Sequence, residues 1–285
     1  MVGFGSVPGV QPKSRSGGGG GQRGADEIDF EIRGQEMQFV EIELDPGESA
    51  IAEAGSMMFK APTIEMDTIF GDGSQQQKGF FGSIMGAGKR LLTGESLFMT
   101  VFTHQGQGKA RVAFASPYPG TILPFHLADM GGTMICQKDA FLCAAKGVSV
   151  GLHFQKKIMT GLFGGEGFIM QRLDGDGFAF IHVGGCLVEK ELAAGEELHV
   201  DTGCIAAMTP TVDFDIVRAG NVKSMIFGGE GIFFAQLRGP GKVWLQSLPF
   251  SRLAGRVLAN AGPMGGTGEG SVLGGLGGLF DGDNS

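Results

Sequence analysis

The sequence predicts an all-β protein: three tandem, pseudo-threefold related copies of one β-sandwich unit, with short helices confined to inserts. Three observations lead there. Glycine is far above its usual share. Of the 53 glycines, nine lie in residues 1–25 and ten in 261–285, leaving the middle at roughly 14% against a usual ~7%. Interior glycine costs a helix about 1 kcal/mol relative to alanine, so a helical bundle is excluded. The segments between glycines are strand-length and rich in Phe, Val and Ile, and their order recurs three times along the chain.

Taken in order, residues 1–25 form a Gly/Ser-rich leader expected to be flexible. The β-rich core spans 26–260, with repeats at about 37–127, 128–192 and 193–258. Each repeat holds an apolar strand, a short break and a second, alternating strand: GSMMFKAPTIEMDT (55–68), DAFLCAAKGVSVGLH (139–153) and GCIAAMTPTVDFDI (203–216). A variable insert follows, containing FFGSIMGAGKRLL, FQKKIMTGLF or VKSMIF. The first two have apolar residues at roughly helical spacing and are expected to form short helices. Next comes a Gly-Glu, an apolar segment, Gly-x-Gly and another apolar segment, as in GGEGFIMQRLDGDGFAFIHVGG (164–185) and GGEGIFFAQLRGPGKVWLQS (228–247). Strand-length segments bounded by glycine read as β-hairpins. Short units of this kind bury their apolar faces against one another, so one continuous core is expected rather than beads. Residues 261–285 are again Gly-rich, but carry Val272, Leu273, Leu276, Leu279 and Phe280. They read as a flexible tail, the alternative being a sticky apolar tail that docks on a neighbour or a membrane surface.

The recurring glycines are turns, not a phosphate cradle. A cradle runs directly into a helix, whose free N–H groups and dipole meet the anion, whereas these run into strands. The nearest approach to a P-loop, SIMGAGKRLL at 83–92, has Ser83 where its first glycine belongs and Arg90 where a magnesium-binding hydroxyl belongs. Charge excludes another class. The net −8 resides wholly in the middle, because the leader's Lys13, Arg15 and Arg23 offset Glu269, Asp281 and Asp283 of the tail. An acidic core repels a phosphate backbone, and one tryptophan (Trp244) and one tyrosine (Tyr118) leave little for base stacking. Nucleic-acid binding is not expected. Cys136, Cys143, Cys186 and Cys204 contain no CxxC pair and are expected to be reduced and mostly buried. No apolar run resembles a signal peptide or a membrane span.

Five fragments, DPGESAIAEAGSMMF (45–59), KRLLTGESLF (89–98), SPYPGTI (116–122), AGEELHVDTGCIAAM (194–208) and GGEGIFFAQLRGPGKVWLQS (228–247), together resemble the altered-inheritance-of-mitochondria, or mitochondrial biogenesis, protein family. The resemblance covers roughly residues 28–258. It implies a β fold like that of the tryptophan RNA-binding attenuator, in tandem units, and assembly as a homo-oligomer, with a trimer favoured. It supplies no catalytic residues. A mitochondrial relative is linked to inner-membrane organisation, which implies peripheral membrane contact. The leader lacks the Arg-rich amphipathic character of a presequence, so a bacterial cytoplasmic location is expected.

Three glutamates, Glu95, Glu166 and Glu230, stand at the same place in the three repeats. They are the candidate binding residues, either as a carboxylate ring that holds a cation or ligand or as solvated carboxylates beside turns. His182 with Cys186, and His199 with Asp201 and Cys204, bring metal-competent types together. Strand alternation puts His199 and Asp201 on one face and Cys204 on the other unless the strand bends at Gly203, and His182 sits in an apolar run. No metal site and no cofactor are expected. No Gly-x-Ser-x-Gly nucleophile turn occurs in the core. The reading that follows is a non-enzymatic, homo-oligomeric scaffold or membrane-peripheral organiser. One alternative is a small-molecule-binding module with a pocket between repeats or subunits, and a second is a hydrolase or metal-dependent enzyme.

Overall fold

A computed structural model describes residues 24–53, 55–70, 98–156, 168–218 and 233–260. The protein is all-β. After a leading strand β1 (Asp29–Arg33), the chain makes three passes of one six-strand scheme. The first pass is β2 (Phe39–Leu44), β3 (Ser49–Glu53), β4 (Met57–Lys60), β5 (Ile64–Phe70), β6 (Phe98–His104) and β7 (Ala110–Ala115). The second is β8 (Gly120–His126), β9 (Thr133–Gln137), β10 (Phe141–Ala145), β11 (Ser149–Lys156), β12 (Phe168–Asp174) and β13 (Phe178–Gly184). The third is β14 (Leu187–Leu192), β15 (Glu197–Asp201), β16 (Ile205–Met208), β17 (Asp213–Arg218), β18 (Phe233–Arg238) and β19 (Gly241–Gln246). An α-helix, α1 (Phe250–Asn260), follows.

The strands form four antiparallel sheets, ordered β1-β2-β7-β4, β5-β6-β3-β10-β13-β8, β11-β12-β9-β16-β19-β14 and β15-β18-β17. In every pass the first, sixth and third strands share one sheet, while the fourth, fifth and second share the next. The second sheet is therefore half first pass and half second, joined by β3 and β10. The third sheet is joined in the same way by β9 and β16. A register shift recurs at the corresponding point of each pass, between Met57 and Phe59, Phe141 and Cys143, and Ile205 and Ala207. Such a bulge bends a strand and increases its local twist.

This layering explains why the strands read as continuous apolar runs. The second and third sheets are covered on both faces. Successive side chains of a strand point to opposite faces, so Ala50 and Ala52 of β3 enter a core with Ile42, Val112 and Phe114 of the first sheet. Ile51 enters a second core with Cys136, Leu173 and Trp244 of the third sheet. A third core joins Ile135, Met170 and Met208 to Val200, Ile216 and Leu237 of the fourth sheet. Edge-to-face rings fix the packing, with Phe102 on Phe114 at 5.0 Å and Phe125 on Trp244 at 4.9 Å. β1 extends this cover, its Phe30 meeting Phe180 of the second sheet at 4.9 Å. The outward face of the first sheet is a lattice of ion pairs, in which Glu41 bonds Arg33 and Arg111 while Glu43 bonds Lys109 and Arg111.

The hairpins expected around Gly-x-Gly are not formed. β6 lies in the second sheet and β7 in the first; β12 and β13, and β18 and β19, likewise part into different sheets. A strand apolar on both faces needs a layer on either side, so the glycine turn carries the chain to the next layer instead of back along its neighbour. Gly108, Gly175 and Gly241 at these turns have φ of +72°, +149° and +151°, backbone that side chains rarely adopt. Within each pass, the consecutive strands that do pair flank the insert: β5 with β6, β11 with β12 and β17 with β18. The inserts, with their expected helices, lie outside the described residues, as do residues 1–23 and 261–285.

Candidate functional site

Glu95, Glu166 and Glu230 all fall outside the described residues. Among the described residues, no group of three or more His, Cys, Asp or Glu is placed to hold a metal ion. His199 lies on the outer face of the fourth sheet against the Phe234 ring, 4.5 Å away, and Asp201 accepts from the Gly203 N–H at 2.9 Å. None of the four cysteines is in a disulfide. Cys136 and Cys143 are buried, but Cys186 is exposed and Cys204 only half-buried. Burial pushes the thiols of Cys136 and Cys143 up, which leaves both protonated and inert.

Two features of the architecture are candidates for function. One is a cavity of about 230 Å³ where the first and second passes meet. Tyr118, Phe141 and Phe250 wall it, and its polar lining includes Glu53, Ser56, Ser116, Asp139 and His182. β13 brings His182 in, and the ring is only 1% exposed. Tyr118 packs its edge on the imidazole at 4.6 Å and 85°, and its hydroxyl approaches the Asp139 carbonyl oxygen at 3.4 Å. Neither ring nitrogen of His182 has a hydrogen-bond partner of good geometry. Burial lowers its pKa to about 4, against a smaller opposing pull from the Tyr118 backbone, so the imidazole is neutral near pH 7. Burial, with the charge of Asp139 next, pushes the Tyr118 hydroxyl up. Gly120 makes room for the ring, since a Cβ there would meet His182 Cε1 at 2.7 Å.

The corresponding place between the second and third passes is closed. The strand registers put Gln246 where His182 stands, Gln137 where Glu53 stands and Gly203 where Asp139 stands. There the Gln246 amide donates to Gln137 Oε1 at 3.1 Å and to the Gly203 carbonyl at 2.8 Å, and accepts from the Gly184 N–H at 3.0 Å. Reading His182 alone, as a histidine in a sheet, misses this. Aligning the three passes strand by strand reveals the contrast.

The other feature is a pair of open sheet edges. Among the described residues β4 pairs only with β7, and β15 only with β18. Yet β4 corresponds to β10 and β16, and β15 to β3 and β9, the strands that join one pass to the next. On β4, Met58 and Phe59 are 56% and 41% exposed, whereas the corresponding Leu142, Cys143, Ala206 and Ala207 are at most 3% exposed.

Comparison with known proteins agrees with this architecture. Residues 30–248 match the family model described as mitochondrial biogenesis AIM24. An uncharacterised protein of Streptococcus pyogenes serotype M6 is 29% identical over 229 residues, which is 79% of this chain and 87% of that one. A Streptococcus pyogenes protein of known crystal structure has the same fold, with a TM-score of 0.64 and 24% identity over 82% of this chain and 99% of that one.

Proposed function

The chain belongs to the mitochondrial biogenesis AIM24 family, and from that premise we propose that it is a non-enzymatic scaffold that assembles head to tail with copies of itself. One observation carries this reading, the pair of complementary open edges. Placing β15 of one copy beside β4 of the next gives the order β17-β18-β15-β4-β7-β2. That is the order of strand roles within both six-stranded sheets of one chain. The register transfers as well. Ala52 opposes Cys143 and Ile51 opposes Ala144; Cys136 opposes Ala207 and Ile135 opposes Met208. By the same rule Val200 opposes Phe59 of the neighbouring copy, and His199 opposes Lys60. An exposed edge with apolar side chains is an aggregation hazard unless something pairs with it. A heterologous contact of this kind closes into a ring when its rotation allows, and a trimer, with nine passes in the ring, is the favoured closure.

Disulfide trapping tests both the contact and its register. In a chain carrying Cys186→Ser and Cys204→Ser, His199→Cys with Lys60→Cys should oxidise to covalent multimers ending at a trimer. His199→Cys with Met58→Cys, out of register, should not. Equal crosslinking of the two pairs, or none of the first, overturns the reading.

A peripheral membrane role has its own support in α1. Phe250, Leu253, Val257 and Leu258 form a stripe at helical spacing, with Val257 and Leu258 61% and 68% exposed. The helix carries Arg252 and Arg256 and no acidic residue. No helix among the described residues is long and apolar enough to cross a membrane.

A further inference from the structure

We propose that Arg252 of α1 bridges neighbouring copies, donating to Asp201 of its own chain and to the Gly55 carbonyl of the next. The inference rests on the head-to-tail reading and deepens it by naming a residue that fastens the contact.

Each pass links its second strand to its third through three residues: 54–56, 138–140 and 202–204. The second junction within the chain shows how such a link is tied to the pass before it. Gln137 ends the second strand of one pass, while Gly203 and Gln246 come from the link and the sixth strand of the next. The Gln246 amide joins all three. It donates to Gln137 Oε1 at 3.1 Å and to the Gly203 carbonyl at 2.8 Å.

The registers name the equivalents where one copy would meet the next. Met57 pairs with Phe114 as Ile205 pairs with Leu245, so Ala115 takes the place of Gln246, and Gly55 that of Gly203. Asp201 ends β15 as Gln137 ends β9. Both acceptors are therefore kept, a carboxylate from one copy and the carbonyl of an exposed glycine from the next. The side-chain donor is lost, because alanine has none. Ala115 still lies against the link, its N–H donating to the Ser56 carbonyl at 2.9 Å.

α1 supplies a donor at this point. Pro249 stands so close to Gly203 that a Cβ there would meet its ring at 3.3 Å, which starts the helix beside the end of β15. Arg252 Nη2 then lies 3.3 Å from Asp201 Oδ2, while Asp201 Oδ1 accepts from the Gly203 N–H at 2.9 Å. In a single chain the two side chains are 46% and 38% exposed, and a surface pair of that kind contributes little. A guanidinium carries five N–H donors in a fixed fork, more than this contact uses. Next to a second copy the fork has a carbonyl to reach, and a charged donor makes a bond roughly twice as strong as a neutral one.

Sedimentation of the full-length chain across a range of concentrations tests this, with the His199→Cys and Lys60→Cys crosslink run in parallel. Arg252→Ala should weaken assembly about tenfold or more and leave the melting temperature of the dilute chain unchanged. Ala115→Gln supplies the side chain of the closed junction from the other copy, and should restore assembly to the Arg252→Ala chain. A role of Arg252 confined to holding α1 in place would not be rescued in this way. Asp201→Asn keeps an acceptor for the Gly203 N–H but removes the charge that holds Arg252. It should weaken assembly in the same sense, and serves should Arg252→Ala fail to fold. Assembly indifferent to either substitution, or not restored by Ala115→Gln, overturns the bridge and leaves the pairing of β4 with β15 standing. Absence of the in-register crosslink in a chain with Arg252 intact overturns the pairing, and the bridge with it.

Discussion

At the residue scale, His182 carries the clearest prediction. Its ring is enclosed by Tyr118 and the two strands that flank β13, with Glu53 and Asp139 as the nearest carboxylates of the cavity. Its pKa in the fold is about 4, below the ~6.5 of an exposed imidazole. Between those values the unfolded chain binds a proton that the folded chain refuses, so stability is full above about pH 6.5 and falls as the pH drops toward 4. The loss attributable to this one group reaches about 3 kcal/mol. Denaturant titrations at several pH values should show this slope in the wild type, and His182→Gln should flatten it. An unchanged slope in the variant would assign the acid sensitivity to other groups, such as the carboxylates held below their usual range by partners: Glu43 by Lys109, and Glu197 by Arg238. The sequence showed His182 only as a histidine in an apolar run. What makes it distinctive is the absence of the partners that Gln246 has, and partners set by strand register across passes are not visible in one stretch of residues.

At the scale of elements, composition and local pattern carried the strand content but not the pairing. Segments such as FAFIHVGG and FLCAA were legible as strands from their length, apolar content and position in the repeat. Their partners were not, because a glycine turn looks the same whether the chain folds back within a sheet or steps to the next layer. The clue was present in the runs themselves: FLCAA is buried at every position, which a one-faced hairpin strand would not be. α1 was missed altogether, although Pro249 before it and the 250, 253, 257, 258 spacing mark a helix start and an apolar stripe. An amphipathic helix with basic residues and exposed apolar side chains suits an anionic lipid surface. The full-length protein should therefore sediment with vesicles containing phosphatidylglycerol at low salt, and less so as salt rises. Val257→Glu with Leu258→Glu, both at exposed positions, should release it without altering thermal stability. Retention by the double variant would place the contact elsewhere on the chain.

At the scale of the whole molecule, the three-pass scheme makes assembly a matter of continuing what the chain already does twice. Each internal junction adds a strand pair and buries apolar residues at the places where β4 exposes Met58 and Phe59. In a cyclic assembly every copy presents α1 on the same side, so weak contacts of single helices with a surface would act together. Joining the edges would also couple folding to concentration, since only folded chains pair. The melting temperature should then rise across a hundredfold increase in chain concentration, and native mass spectrometry should find three times the 29.7 kDa of the chain. Phe59→Glu offers the sharper contrast. A charge at a 41% exposed position costs an isolated chain little, but opposite Val200 it would be drawn into a closing sheet. The variant should be monomeric, with a melting temperature independent of concentration. A wild type that is itself monomeric and flat in concentration would mean that β4 and β15 remain true edges, and that the likeness of their register to the internal junctions has another cause.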